Sequence, residues 1–326
     1  MKKTFFIVIT CLIYLVCFTQ YKSREPLAHT FSIVARDDKT GEMAVAVQSH
    51  WFSVGTAVSW GEAGVGVVAT QSFVNKSFGL RGLELLKQGK SPQQALDILL
   101  KDDPGREVRQ VAILDTQGRV ATHTGKNCID AYGQANGTDF SVQANMMLNG
   151  KVVPAMKAAW EKNNGLDLPE RIIAVLKAAQ SAGGDIRGKQ SAALMIFRGR
   201  KTDAPWDDKL IDLRVDDASE PVKEIERLLT IHRAYQHMNN GDLFVEKGEM
   251  QKAMKEYNAA MKIFPGNLEM QYWTAITLAG DKKITEASAM LQKIYKKDAN
   301  WRELTRRLPK VGLLTVSAKE LNELLK

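Results

Sequence analysis

The sequence predicts an α/β protein of the α+β type, followed by a region that is helical throughout. Apolar stretches with strand-like alternation occur in pairs joined by turn residues, at residues 30–49 and 108–124. Segments with helical spacing of apolar residues follow each pair, and strands then return, which favours stacked layers over a doubly wound parallel sheet. From Pro221 onward only the helical spacing remains. The chain therefore divides into a mixed domain at 29–220 and a helical domain at 221–326.

The first 22 residues have the composition of a secretory signal peptide. Met1-Lys2-Lys3 is a positive start, and the uncharged run from Phe5 to Phe18 is shorter than the roughly 20 residues of a membrane span. We expect cleavage near Thr19 and an exported protein that meets the membrane only through this segment. Lipidation of Cys17 and an uncleaved anchor stay open as alternatives. Cleavage leaves Cys128 as the one cysteine, so we expect no intrachain disulfide.

The net charge of +8 is unevenly distributed along the chain. Residues 26–220 carry 23 basic and 23 acidic side chains, whereas residues 221–326 carry 18 and 13. The remaining excess of basic residues lies in the first 25 positions. Nucleic-acid binding usually needs a basic stripe with interleaved aromatic residues. The sequence has no such stripe, so we expect no nucleic-acid partner.

The elements of the mixed domain follow from local patterns. Residues 30–37 and 42–49 alternate as strands around the turn Lys39–Gly41, which predicts a hairpin. Ser91 has the position of an N-cap for a helix that runs to Lys101. Further strands are predicted at 63–71, 108–115, 120–124, 191–198 and 210–215, and further helices at 79–88, 152–162 and 169–182.

The helical domain contains an internal repeat with a period of 34 residues. Small, large and breaker residues of the first copy fall at the positions of a tetratricopeptide repeat (TPR). These residues are Gly241, Phe244, Ala253, Tyr257, Ala260 and Pro265. The second copy is degenerate. Fewer than three repeats are marginal alone, so we expect this TPR-like domain to pack on the domain before it.

The usual catalytic and metal-binding motifs are missing from the sequence. It has no G-x-S-x-G elbow, no H-E-x-x-H, no C-x-x-C pair and no phosphate-binding glycine loop, and its histidines do not have zinc-ligand spacing. We therefore expect neither a metal nor an organic cofactor. Polar residues cluster instead at Thr30–Ser32, Gln48–His50, Ala69–Gln71, Gln143–Asn145 and Gly183–Gln190.

Several of these blocks resemble a known family. The segments TFSIVARD, GEMAVAVQSHWF, EAGVGVVATQSFVN, DPGREVRQV and GGDIRGKQSAAL, spread from His29 to Asp217, resemble DUF1028, a bacterial family of unknown function assigned to the N-terminal nucleophile (Ntn) hydrolases. The resemblance implies an αββα four-layer sandwich. Tails that begin like residues 221–234 accompany this family and are in some members described as peptidoglycan-binding.

The superfamily resemblance implies a nucleophile at the first residue of the processed domain. Thr30 is the candidate, because a free α-amino group has a pKa near 8 and can act as base for its own hydroxyl. Asn145 is a candidate donor to the oxyanion, with capping of a strand end as the alternative. His29 stands where self-processing members commonly have glycine. Without cleavage of the His29–Thr30 bond the amine is absent, and Thr30 is then simply the first residue of an edge strand.

The remaining polar residues are candidates for binding a substrate. They are Ser32, Gln48, His50, Gln71, Asp185, Arg187 and Lys189. Ser32 shares a strand face with Thr30 and is otherwise a buried strand serine. Asp185 and Arg187 could hold the two charged ends of an amino-acid-like substrate. The alternative for them is an internal ion pair that braces their loop.

Two functions follow from the sequence. The first is an exported Ntn-type amidohydrolase or peptidase that cleaves an amide bond in a small or cell-wall-derived substrate. The second is a non-catalytic module that binds peptide or peptidoglycan fragments. In either case the TPR-like tail is suited to a peptide or protein partner. The identity of the mature amino terminus distinguishes the two functions.

Overall fold

The computed structural model describes residues 27–326, so the signal-peptide prediction for residues 1–22 lies outside the described residues. Within 27–326, eleven β-strands form two antiparallel sheets. The strands are β1 (Leu27–Ala28), β2 (Thr30–Arg36), β3 (Met43–Ser49), β4 (Ser59–Glu62), β5 (Gly66–Phe73), β6 (Arg109–Asp115), β7 (Val120–Thr124), β8 (Gly133–Gly137), β9 (Phe140–Ala144), β10 (Ser191–Phe197) and β11 (Lys209–Val215).

The same part of the chain forms eleven α-helices, six of them in the helical region after the last strand and its connection. The helices are α1 (Gly55–Val58), α2 (Ser77–Lys87), α3 (Pro92–Lys101), α4 (Val152–Lys162), α5 (Leu168–Ser181), α6 (Pro221–Glu246), α7 (Met250–Ile263), α8 (Leu268–Gly280), α9 (Ile284–Lys297), α10 (Asn300–Arg307) and α11 (Ala318–Leu324), with α6 as the first of the tail. None of the helices in residues 27–326 combines the length and apolar character needed to cross a membrane.

The two sheets have different strand orders. The first sheet runs β1-β5-β6-β7, and β4 also pairs with β5. β4 pairs with residues 66–69 of β5, whereas β1 pairs further along with Ser72 and Phe73. The second sheet runs β11-β10-β3-β2-β9-β8. The mixed α/β class predicted from the sequence, with antiparallel sheets and a helical C-terminal region, is confirmed.

Apolar side chains fill three spaces around these sheets. The first space, around Phe78 and Ile113, lies between α2, α3 and the first sheet. The second, around Val47 and Leu114, lies between the two sheets. The third, around Ile172, lies between the second sheet and helices α4, α5 and the start of α6. Each sheet is therefore covered on both faces, and the space between the sheets is enclosed.

Local sequence explains why these elements begin and end where they do. The carboxylate of Asp37 accepts hydrogen bonds from the backbone of Lys39 and Thr40, and Gly41 supplies a positive φ of 75°, so the predicted hairpin turn is confirmed. The side chain of Ser91 accepts from the backbone N–H of Gln94 in a capping box, so the predicted helix start is confirmed as well.

One hairpin was not predicted. β8 and β9 form a pair from Gly133 to Ala144, in a segment rich in glycine, asparagine and glutamine. Such residues are poor strand formers in isolation. The pairing of β9 with β2 supplies the missing stabilisation, because it makes β9 an inner strand of the second sheet.

Helix α6 belongs to two hydrophobic cores. Its first part places Val222, Ile225 and Leu229 against the second sheet, and its second part packs on α7. The contact with α7 is close, since a Cβ on Gly241 would lie 2.3 Å from the ring of Tyr257. Helix α6 thus begins at Pro221 and contributes residues to both cores; the division of the chain into two domains at residue 220 stays a prediction.

Candidate functional site

The chain passes from the first sheet to the second at His29. β1 ends at Ala28 in the first sheet, and β2 begins at Thr30 in the second. Thr30 is fully buried, and β2 pairs with β3 on one side and β9 on the other. The edge-strand alternative for Thr30 is therefore wrong, because β2 is an inner strand of its sheet.

The side chain of Thr30 points into the space between the sheets. Residues of β2 alternate between its two faces, and Thr30 shares its face with Ser32 and with Val34 of the inter-sheet core. Its cross-strand neighbour on β3 is Ser49. Thr30 Oγ1 is buried and has no hydrogen-bond partner among residues 27–326. A buried hydroxyl without a partner is unusual and needs an explanation.

The peptide carbonyl that precedes Thr30 is held by two donors. Ser49 Oγ donates to the carbonyl oxygen of His29 at 2.6 Å, and Arg187 Nη2 donates to the same oxygen at 2.8 Å. Both are hydrogen-bond distances to the carbonyl oxygen of the intact peptide bond. The two donors polarise the His29–Thr30 peptide bond next to the unpartnered hydroxyl.

The His29 ring is fixed in one neutral form. Its Nδ1 lies 2.6 Å from Asn145 Oδ1, which is an acceptor, so Nδ1 carries the proton. Burial lowers the pKa of His29, and the nearby Arg187 lowers it further, against the Asn145 hydrogen bond and the Asp185 charge. His29 Nε2 is buried and has no partner in the described part of the chain. The ring therefore presents a free lone pair at neutral pH.

A network of buried amides and hydroxyls crosses from one sheet to the other beside Thr30. Ser32 Oγ donates to Gln71 Oε1 at 2.6 Å and accepts from Gln143 Nε2 at 2.6 Å. Gln110 Oε1 accepts from Gln71 Nε2 at 2.6 Å and from Asn145 Nδ2 at 2.8 Å. Three of the predicted site residues, Ser32, Gln71 and Asn145, thus lie in one network within reach of His29 and Thr30.

Asn145 does not contact the carbonyl of His29. Its amide group bridges His29 Nδ1 and Gln110 Oε1. Donors to the carbonyl come instead from Ser49 and Arg187. Asn145 in this arrangement positions the His29 ring, while the oxyanion role assigned to it from the sequence stays a prediction.

The loop from Gly183 to Lys189 brings Arg187 to the site. The Asp185 carboxylate accepts from Arg187 Nε at 3.0 Å, from Arg187 Nη2 at 2.7 Å and from the backbone N–H of His50 at 3.1 Å. The internal ion pair that was one alternative for this loop is present. It also aims Arg187 Nη2 at the His29 carbonyl oxygen.

The other predicted residues lie apart from Thr30. Gln48 is the cross-strand neighbour of Phe31 and so faces the helices on the far side of the sheet, where both atoms of its amide are buried without a partner among residues 27–326. Lys189 forms an ion pair with Glu220 at the start of α6. The side chain of His50 is exposed, next to Gly188.

A buried ion pair supports the end of β5, where β5 pairs with β1. Arg109 is bonded to both oxygens of Asp103 and donates to the carbonyl oxygen of Phe73 at 2.6 Å. Burial alone would raise the pKa of Asp103, but the hydrogen bonds from Arg109 and Gly105 hold it below its usual range. Nearby Cys128 is buried, and burial raises the pKa of its thiol, as expected of a small apolar residue rather than a nucleophile.

Residues 27–326 contain no group of three or more His, Cys, Asp and Glu side chains arranged to hold a metal ion. Two sizeable cavities lie away from Thr30. One of about 860 Å³ is lined by the loops around residues 36–42 and 198–202. Another of about 620 Å³ lies between α5, α6 and Ile263 of α7.

Sequence reasoning missed three contributors to the site. Ser49 was part of a recognised polar cluster but received no role, Gln110 was overlooked, and His29 was treated only as an obstacle to processing. Strand register carries the signal for Ser49, because it lies opposite Thr30. Gln110 interrupts an apolar strand with a long amide, which is the kind of residue that needs a buried partner.

Comparisons with known proteins identify the family of this chain. A model of the family of unknown function DUF1028 matches residues 30–225. The chain belongs to this family. The match begins at Thr30, so β1 and His29 lie before the matched residues. A comparison with curated proteins found no significant match.

A solved structure of the same family is similar to this chain. The crystal structure of protein SPO2555 from Silicibacter pomeroyi, assigned to DUF1028, is 29% identical, with a TM-score of 0.56. The similarity covers 62% of this chain and 85% of the other. The shared architecture therefore extends over most of that protein.

Proposed function

We propose that this chain is an exported Ntn-type amidohydrolase that cleaves its own His29–Thr30 bond and then uses Thr30 as nucleophile. One observation carries the proposal. The unpartnered Thr30 Oγ1 is adjacent in the chain to a carbonyl whose oxygen accepts hydrogen bonds from Ser49 and Arg187. Export rests on the sequence of residues 1–22.

The layer arrangement supports the Ntn assignment. Helices cover the outer face of each sheet and the two sheets face each other, which gives the order helix, sheet, sheet, helix. We take this as the αββα sandwich that the family resemblance implies. The nucleophile then lies at the start of an inner strand, in the enclosed space between the sheets.

Self-cleavage needs one water molecule and no cofactor. Thr30 Oγ1 attacks the carbonyl carbon of His29, and the oxyanion is stabilised by Ser49 Oγ and Arg187 Nη2. The hydroxyl proton passes to the nitrogen of Thr30 as the peptide bond breaks. Water then hydrolyses the resulting ester, which leaves a carboxyl group on His29 and a free amine and hydroxyl on Thr30.

The mature reaction repeats this chemistry with an external amide. The α-amine of Thr30 accepts the proton of its own hydroxyl, and Oγ1 attacks the substrate carbonyl. The amine then protonates the leaving nitrogen, and water releases the acyl group from Thr30. Ser32, Gln71 and Asn145 hold the walls of the site, and Arg187 stabilises the oxygen of the reacting carbonyl.

The amino terminus of the purified chain tests the proposal. Intact mass and terminal sequencing of the wild-type chain are expected to show Thr30 as the first residue, and Thr30→Ala is expected to keep the preceding residues. A wild-type chain that retains His29 after prolonged incubation contradicts self-cleavage. That outcome favours the second function, a non-catalytic module for peptide or peptidoglycan fragments.

The helical tail supports a partner-binding role beside the catalytic one. Gly241 and Tyr257 make the close helix contact that a TPR-like hairpin needs. The cavity of about 620 Å³ has apolar walls from Leu166, Ile173 and Leu229. We assign a peptide or protein partner to this region, and we assign no nucleic acid.

A further inference from the structure

We propose that the mature site accepts an extended peptide on the acyl side of the cleaved bond, with a small residue two positions before that bond and a ring that donates a hydrogen bond immediately before it. Residues 27–29 are the template for this peptide, because they fill the acyl side of the site before cleavage. The inference rests on the proposed function and names its substrate class.

The main chain of this segment occupies the edge of a sheet. β1 pairs with Ser72 and Phe73 of β5, beyond the point where β4 stops at Ala69. Ser72 has a positive φ of 73°, a conformation that non-glycine residues adopt rarely. Departure of residues 27–29 leaves this stretch of edge unpaired, which is where an extended peptide can add as a strand.

The second position before the bond accepts only a small side chain. Ala28 is fully buried and is part of the apolar cluster between the sheets. Interiors of this kind are close-packed, so a larger side chain has no room without displacing its neighbours. Leu27, by contrast, is 48% exposed. The third position before the bond therefore tolerates most residues.

The position immediately before the bond accepts a flat ring that donates a hydrogen bond. His29 Nδ1 donates to Asn145 Oδ1 at 2.6 Å, and the ring meets Phe73 edge-on with 5.5 Å between centroids. Asn145 Oδ1 is buried and loses this partner when His29 leaves. A substrate ring with an N–H restores the bond, whereas an apolar side chain leaves a buried acceptor unpaired.

Arg187 completes the recognition of the acyl group. Its Nη2 holds the carbonyl oxygen of His29 and, after cleavage, faces the new carboxylate. An arginine binds a carboxylate more tightly than a neutral carbonyl. The released peptide that ends in His29 is thus expected to compete with substrates for the site.

Four synthetic peptides test this inference on the processed wild-type chain. The template is acetyl-Leu-Ala-His-Thr-amide, and the others replace its Ala by Phe, its His by Leu, or its Leu by Lys. We expect cleavage of the template after His, a loss of kcat/KM of about tenfold or more for the Phe peptide and about 100-fold for the peptide without the ring. The Lys peptide should stay within about twofold of the template, because that position is exposed.

A second measurement separates this inference from the proposed function. Acetyl-Leu-Ala-His with a free carboxylate should bind the processed chain in calorimetry and should not bind uncleaved Thr30→Ala, whose own segment fills the site. A processed chain that cleaves acetyl-Ala-p-nitroanilide but prefers none of the four peptides overturns the substrate class and leaves the proposed function standing. A wild-type chain whose intact mass retains His29 overturns both.

Discussion

The space between the two sheets has two halves of opposite character. The apolar half contains Val34, Val47 and Ala112, and the polar half contains Ser32, Gln71, Gln110, Gln143 and Asn145 beside Thr30 and His29. Both halves are built from the same strands: β2 contributes Val34 to one and Thr30 to the other. The apolar half and the polar half thus lie only four positions apart along β2.

The difference shows which half is built for stability. Burying polar groups costs free energy unless each finds a partner, and the amides of the polar half satisfy one another across the sheets. Thr30 Oγ1 and His29 Nε2 are exceptions, with no partner among residues 27–326. They belong to the two residues joined by the peptide bond whose carbonyl oxygen accepts from Ser49 and Arg187. The polar half therefore leaves these two buried polar atoms unpaired, at some cost to the stability of the fold.

Thr30→Val most sharply separates the effect of the polar half on self-cleavage from its effect on stability. The change keeps the shape of the side chain and removes a buried hydroxyl that has no partner. We expect self-cleavage to fall by a factor on the order of 10³ or more, while the free energy of unfolding stays unchanged or rises by about 1 kcal/mol. Intact mass measures the first effect and urea denaturation the second. Thr30→Ser should retain cleavage, and a Val variant that still cleaves would exclude Thr30 as nucleophile.

Arg187→Met and Ser49→Ala test the two donors to the His29 carbonyl. Each should slow self-cleavage by about 10²–10³, because each removes one hydrogen bond to the developing oxyanion. The time course of the mass change after purification of the precursor gives the rate. Lys189→Met is a matched control, since Lys189 lies on the same loop but pairs with Glu220. Equal self-cleavage rates for Arg187→Met, Ser49→Ala and Lys189→Met would mean that the loop from Gly183 to Lys189 has a purely structural role.

Reciprocal substitutions compare the halves directly. Ser32→Ala leaves Gln71 Oε1 and Gln143 Nε2 without the hydroxyl that joins them. Val47→Thr places a hydroxyl among apolar neighbours. Each is expected to lower the free energy of unfolding by about 1–3 kcal/mol. Chemical denaturation of both in the Thr30→Val background measures this, and a neutral result for Ser32→Ala would mean that water replaces the lost group.

The smallest expected effect is a pH dependence of the uncleaved chain. Burial lowers the folded-state pKa of His29, so the unfolded state takes up a proton first as the pH falls below about 6.5. The free energy of unfolding of Thr30→Val should therefore decrease from pH 7 to pH 5. Burial also lowers the pKa of His232, so His232 contributes to the same decrease. Adding His29→Gln should remove part of that slope. An unchanged slope would show that His29 is not titrating in this range.

Sequence patterns predicted the regular elements well and the site incompletely. The hairpin of β2 and β3 and the cap of α3 depend on short-range chemistry, so Gly41 and Ser91 were sufficient to place them. The β8–β9 hairpin depends on pairing with β2, more than 100 residues away along the chain, and its Gly- and Asn-rich sequence favours turns.

The site shows the same limit. Ser32 is predicted from the strand face that it shares with Thr30, Gln71 from a polar cluster and Asn145 as an oxyanion donor; the structure brings all three into one network, and their roles stay predictions. Gln48 is predicted because it lies at the end of the second strand, but it faces the helices, since one residue along a strand reverses the direction of the side chain. Which loop residue reaches the His29 carbonyl depends on tertiary contacts that no local pattern contains.

Helix α6 connects the core beside the second sheet to the core of the tail. It is 26 residues long, about 39 Å at the rise of an α-helix, and it is anchored in the core of the second sheet at one end and in the tail at the other. Glu220, at its N-terminus, forms an ion pair with Lys189 of the loop that carries Arg187. The long helix therefore connects the tail, through Glu220 and Lys189, to the loop whose Arg187 donates to the carbonyl oxygen of His29.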